Sequence, residues 1–145
     1  MRDTGVWTYS VVNLLHILGI SSLFGSVLIL DLRLLGVWRG VALATITRPT
    51  VPVAATGFTI AVTTGLCLLA TKATEYVGNP FLYIKLPAIA IGVVNVVVLH
   101  SLTAWKQRQT RELSSREQLQ LKAAGGISLL CWLTAITAGR MIAYW

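Results

Sequence analysis

The sequence predicts an all-α integral membrane protein, a four-helix bundle, and three observations lead there. The 145 residues are 55% hydrophobic and only 12% charged, with a mean hydropathy of +0.73. Four apolar runs, about 6–30, 51–70, 81–102 and 123–144, are each about 20 residues or longer. At a rise of about 1.5 Å per residue each can cross roughly 30 Å of hydrocarbon. Little lies outside these runs except three polar connections, so residues 1–145 are expected to form a single four-span transmembrane domain.

The first run precedes an Ala42-Leu43-Ala44 triplet, as a secretory signal would. It is too long for a signal core, and Asp31 and Arg33 intervene, so it reads as a retained helix. At about 100° per residue, Asn13, His16 and Asp31 lie within about 60° of one another on this helix. The second run carries Thr56, Thr59, Thr63 and Cys67 as a small, weakly polar stripe, expected to make close helix contact. The third sets Lys85, Gly92, Asn95 and His100 within about 140°. Its helix could also open at Leu86, with Pro87 in the first turn, which would leave Lys85 outside as an interfacial anchor. In the fourth run Thr137 and Arg140 share a face that Leu133 and Ile136 fill.

A net charge of +7 would suggest nucleic acid in a soluble chain. Here its placement suggests orientation instead. Arg33, Arg39 and Arg48 belong to the first connection, and Lys106, Arg108, Arg111, Arg116 and Lys122 to the third. The positive-inside rule puts both connections in the cytoplasm and both termini outside, across a bacterial inner membrane. The segment "KQRQTRELSSREQLQLK" is expected as a polar cytoplasmic helix or loop that meets anionic lipid headgroups. Membrane lipid is thus a partner and nucleic acid is not. Trp7, Tyr9, Tyr76, Phe81, Tyr83, Tyr144 and Trp145 form an outer aromatic belt, with Trp38 and Trp105 at the inner ends.

Several chemistries are absent from the sequence. It has no Gly-rich phosphate loop, no GxSxG and no HExxH. Asp31 is the one carboxylate near membrane depth, too few for a paired-acid hydrolase. Cys67 and Cys131 lie in separate spans with no CxxC or Cys/His cluster, so neither a disulfide nor a zinc site is expected.

A charge in hydrocarbon costs at least about 2.5–3.5 kcal/mol on insertion scales, so ionisable groups inside spans must be shielded, paired or functional. By depth, His16, Lys85 and Arg140 are expected around one cavity in the outer half of the bundle. Asn13 and Thr63 stand beside them. His100 lies about 28 Å down its own span at about 1.5 Å per residue, near Asp31 and Arg33. That separation disfavours one iron held between His16 and His100. His16 suits an axial haem ligand, and a helix–helix hydrogen bond is its structural reading. Lys85 and Arg140 divide between binding anionic groups and snorkelling to the interface. His100, the second metal candidate, is read first as pairing with Asp31 or facing cytoplasmic water.

The segments "HILGISSLFGSVLILDLRLLG", "TTGLCLLA", "NPFLYIKLPAI" and "AGRMIAY" together resemble an uncharacterised family of small four-helix bacterial membrane proteins. That family is distantly similar to HemJ-type protoporphyrinogen oxidases and to CopD-like copper-resistance membrane proteins. The HemJ-type resemblance implies functional weight on His16, Arg33 and Lys85, which fall at matching places. The "DLRLLG" pattern and a longer Lys85-to-His100 spacing depart from it, so haem binding is the property carried over best. No Met/His cluster is present for copper.

The sequence therefore predicts a small haem-b-binding membrane protein in redox or electron transfer. His16 is the axial ligand. Lys85 and Arg140 pair with propionates, or Lys85 ligates the iron itself, while Asn13 and Thr63 support the site. Its partner would be a membrane or periplasmic redox protein. A HemJ-like oxidase is the alternative enzyme. A cofactor-free accessory subunit, in a homo-oligomer or larger membrane complex, is the alternative of a different class.

Overall fold

The computed structural model describes residues 3–107 and 112–144. Four long helices run through it: α1 (Asp3–Leu35), α2 (Leu43–Thr71), α4 (Pro80–Ser101) and α6 (Ser115–Met141). Two single-turn helices, α3 (Ala73–Tyr76) and α5 (Thr103–Lys106), sit in the connections, and a 3-10 turn (Ile142–Tyr144) closes α6. Among the described residues there is no strand. The fold is all-α. The segments Gly5–Leu35, Leu43–Thr71, Pro80–Ser101 and Ser115–Tyr144 are each long and apolar enough to cross a membrane.

These helices outrun the apolar segments, most of all in α2 and α6. The stretch from Leu43 to Thr50 is helical despite Arg48 and Pro49. Pro49 and Pro52 stand inside the helix, past its first turn, and each removes one backbone ladder bond. Threonine hydroxyls there turn back on the helix, as Thr50 Oγ1 does in donating to the Ile46 carbonyl at 2.7 Å. The polar opening of α6 is helical because Ser114 and Glu117 form a reciprocal capping box. Arg2, Arg108, Arg111 and Trp145, which entered the charge and belt readings, lie outside the described residues.

The start of α4 decides the standing of Lys85. Asn79 caps the helix by accepting from the Phe81 backbone N–H at 3.0 Å, and Pro80 takes the first helical position. Lys85 therefore lies within the second turn. A helix opening at Leu86 is ruled out, because the Asn79-Pro80 pair supplies a stronger start than Pro87 does.

The four long helices pack in the lateral order α2, α1, α6, α4, and α2 hardly touches α4. The α1–α2 seam is the closest. A Cβ built on Gly19 would stand 2.8 Å from the Ala61 nitrogen, and one on Gly57 2.6 Å from the Leu23 nitrogen. Only glycine allows that approach, and such backbone proximity is how helices gain packing energy where lipid is as apolar as the core. Gly125 of α6 meets the Asp31 carbonyl and Leu34 of α1 in the same way. Between the seams Trp132 packs with Leu23 and Val27 and meets the Phe58 ring edge-on, centroids 6.1 Å apart. A second apolar cluster joins Leu34, Leu99, Trp105 and Leu121 at the other end.

Two inward faces differ from expectation. Thr56, Thr59, Thr63 and Cys67 are exposed, while Thr50, Gly57, Ala61 and Thr64 are buried. The exposed threonines need no neighbour, since Thr56, Thr59 and Thr63 each donate to the carbonyl four residues back. Likewise Leu133, Thr137 and Arg140 face outward, and α6 buries Ser128, Trp132, Ala135 and Ala138 instead.

Candidate functional site

The polar groups of the interior fall into two layers. The first joins α1, α2, α4 and α6 at the end where α1 begins. His16 is half-buried, and its Nδ1 lies 3.0 Å from Thr64 Oγ1. The Thr64 hydroxyl already donates to the Ile60 carbonyl. Its oxygen can then accept from Nδ1–H, in the tautomer that leaves Nε2 unprotonated. The imidazole lies against Gly65, where a Cβ would come within 3.0 Å of Cε1. With Nδ1 engaged, Nε2 presents a lone pair. That is how ligating histidines are commonly held.

Lys85 belongs to the same layer. Its side chain lies along Gly139 of α6, where a Cβ would approach Nζ to 3.2 Å. Among the described residues no carboxylate pairs with Lys85. Arg140 follows Gly139 but turns outward, its Nη2 bonded to the Tyr144 hydroxyl and its guanidinium 4.8 Å from that ring's centroid. Asn13 and Thr63 occupy exposed positions. Of the five groups assigned to the outer cavity, His16 and Lys85 share the interior.

The second layer is centred on Asp31, which is 2% exposed. Ser128 of α6 is its side-chain hydrogen-bond partner, and its Oδ2 has none among the described groups. Asn95 of α4 donates from Nδ2 to the Ala124 carbonyl at 2.9 Å, one residue before the Gly125 contact with Asp31. Asn95 thus sits beside the Asp31 layer and not near His16. Fifteen positions separate His16 from Asp31 on α1, about 22 Å along a helix.

His100 is exposed at the Asp31 end. Its Nδ1 is 2.8 Å from the Val96 carbonyl, and its ring lies 5.0 Å from Trp105. It does not meet Asp31. Together with Trp105 and residues Ala44 to Pro52 of α2 it lines a cleft of about 560 Å³. His16 faces Thr64 on that same α2, about 18 Å further along the helix than Pro52. The two imidazoles cannot share one iron, as the depth reading expected. A smaller groove of about 330 Å³ runs between α4 and α6 at the opposite end, lined by residues such as Phe81, Leu133 and Met141.

Sequence reading passed over Thr64, Gly65 and Gly139. A signal was present in α2, where Gly57, Ala61 and Gly65 recur four residues apart, the spacing of a closely packed helix face. The same spacing marks α6, where Ala124 and Ser128, and Ala135 and Gly139, are each four residues apart.

Among the described residues no group of three or more His, Cys, Asp or Glu side chains could hold a bare metal ion. A porphyrin differs, since it brings four donors of its own and asks the protein for one or two. No family model, curated protein or solved structure matches the chain.

Proposed function

We propose that this chain is a small haem-b protein of the bacterial inner membrane, with both termini outside, that passes electrons between a membrane or periplasmic donor and an acceptor. The observation that carries this reading is the 3.0 Å approach of His16 Nδ1 to the Thr64 hydroxyl inside the span. With the proton on Nδ1, Thr64 accepts it and Nε2 is left as a ligand lone pair, and among the described residues no carboxylate pairs with Lys85. The donor set suits haem better than a bare ion, because one imidazole suffices. Haem bound there would supply a one-electron carrier.

Each residue has a defined part. His16 would hold the haem iron through Nε2, with Thr64 orienting its ring. Lys85 supplies the positive charge that a propionate needs in a low-dielectric interior, or acts as the second ligand through Nζ. Arg140, next to Gly139, is the second cation for a propionate at the interface. Basic residues at the connections between α1 and α2 and between α4 and α6 set the orientation.

The test is a visible spectrum of detergent-purified protein, oxidised and dithionite-reduced, beside His16→Ala and His100→Ala. A Soret band and sharp reduced α-band, lost in His16→Ala and kept in His100→Ala, support the assignment. Loss in His100→Ala alone moves the haem to the cleft at α2. A colourless protein from haem-replete cells removes haem altogether and leaves the accessory-subunit role.

A further inference from the structure

The cleft at the Asp31 end has two unlike walls. One is α2, with polar Thr45, Thr47 and Arg48 followed by apolar Val51 and Pro52; the other is His100 of α4 with Trp105 of α5, their ring centroids 5.0 Å apart. Arg48 is exposed five residues after the start of α2, and among the described residues no acidic side chain pairs with it. His100 is the last residue but one of α4. Both therefore sit at the depth where a bilayer's headgroups meet its chains. Arg33, Arg39, Lys106, Arg116 and Lys122 outnumber Glu112 and Glu117 at this end of the bundle. Helices α2 and α4 scarcely touch, which leaves a gap between them beside the cleft.

We infer that this cleft binds the phosphodiester headgroup of an anionic phospholipid, with an acyl chain lying along the gap between α2 and α4. Arg48 donates to the phosphate oxygens, a charge-assisted bond stronger than a neutral one. The threonine hydroxyls stand beside it, and Trp105 and Pro52 floor the start of the acyl path. A zwitterionic lipid would offer the same phosphate but add a cation to a face that is already positive. The site lies at the opposite end from His16 and does not depend on the haem reading.

Native mass spectrometry of the delipidated protein in detergent tests this directly. The probes are phosphatidylglycerol and phosphatidylcholine with identical chains, with inorganic phosphate as a separate arm. The wild type is expected to retain phosphatidylglycerol about tenfold better than phosphatidylcholine, because choline sets a second cation beside Arg48. Arg48→Gln should abolish the preference, and so should the exposed-site variant His100→Glu, which places a like charge in the cleft. Arg39→Gln, in the neighbouring connection, should keep it. Equal retention of both lipids would overturn the inference, as would an Arg39→Gln effect equal to that of Arg48→Gln. Displacement of phosphatidylglycerol by millimolar phosphate would also overturn it, in favour of a free-phosphate site.

Discussion

Gly57 of α2 lies so close to α1 that a Cβ on it would stand 2.6 Å from the backbone nitrogen of Leu23. No rotamer change relieves a clash with backbone, so the helices must part. Gly57→Ala is expected to lower stability by about 1–3 kcal/mol, the usual cost of overpacking, although alanine is the better helix former by about 1 kcal/mol. Gly25, also in α1, has nothing within 4 Å of its would-be Cβ. Gly25→Ala should therefore be neutral or stabilising. Denaturant titration of both variants in one detergent separates the two effects.

Thr64 holds His16 by a single hydroxyl. Thr64→Val keeps the shape and removes the acceptor. The expected loss is about 0.6–1.7 kcal/mol, the range for hydrogen bonds between helices in membranes. Thr64→Ser should restore it. Thermal unfolding measures the loss, and haem retention in the same samples reports the ring's orientation.

Asp31 and Ser128 form a pair whose members should be strongly coupled. Ser128→Ala strips a buried carboxyl of its side-chain partner and should cost about 1–3 kcal/mol. In an Asp31→Leu background the same change should cost little, since no buried carboxyl remains. The double-mutant cycle then gives a coupling of about 0.5–3 kcal/mol. Additive single effects would show that Ser128 acts through packing alone.

Asn79 is 2% exposed, caps α4, and donates from Nδ2 to the Ile142 carbonyl at 3.4 Å. It ties the start of one span to the end of another. Asn79→Ala should cost about 1 kcal/mol for the cap. It should also raise amide exchange in the first turn of α4 and around Ile142 together. Exchange rising at α4 alone would mean that the tie to Ile142 carries nothing.

The existence of four helices was legible because length and apolarity are local properties of the chain. The ends of α2 and α6 were partly legible. The Ser114-x-x-Glu117 capping box stood in the sequence, inside a stretch that its charges marked as polar. The inward faces were hidden for a physical reason. In water the buried face is the apolar one, but in lipid both faces are apolar, and closeness of backbones decides which one turns in. Polarity therefore pointed to Thr56, Thr59 and Thr63, while smallness at Gly57, Ala61 and Gly65 governed the packing. The same confusion set Thr137 and Arg140 inside α6 and passed over Ser128. His16 and Lys85 were identified because ionisable groups are costly in a span whichever way it faces.

The most direct test is haem content per chain in the wild type and in His16→Gly, each with and without added imidazole. The account predicts about one haem per wild-type chain. It predicts little in His16→Gly, and recovery when imidazole fills the space beside Thr64 that the missing ring leaves. A wild type without haem, or a His16→Gly variant that keeps its full complement without imidazole, would contradict it.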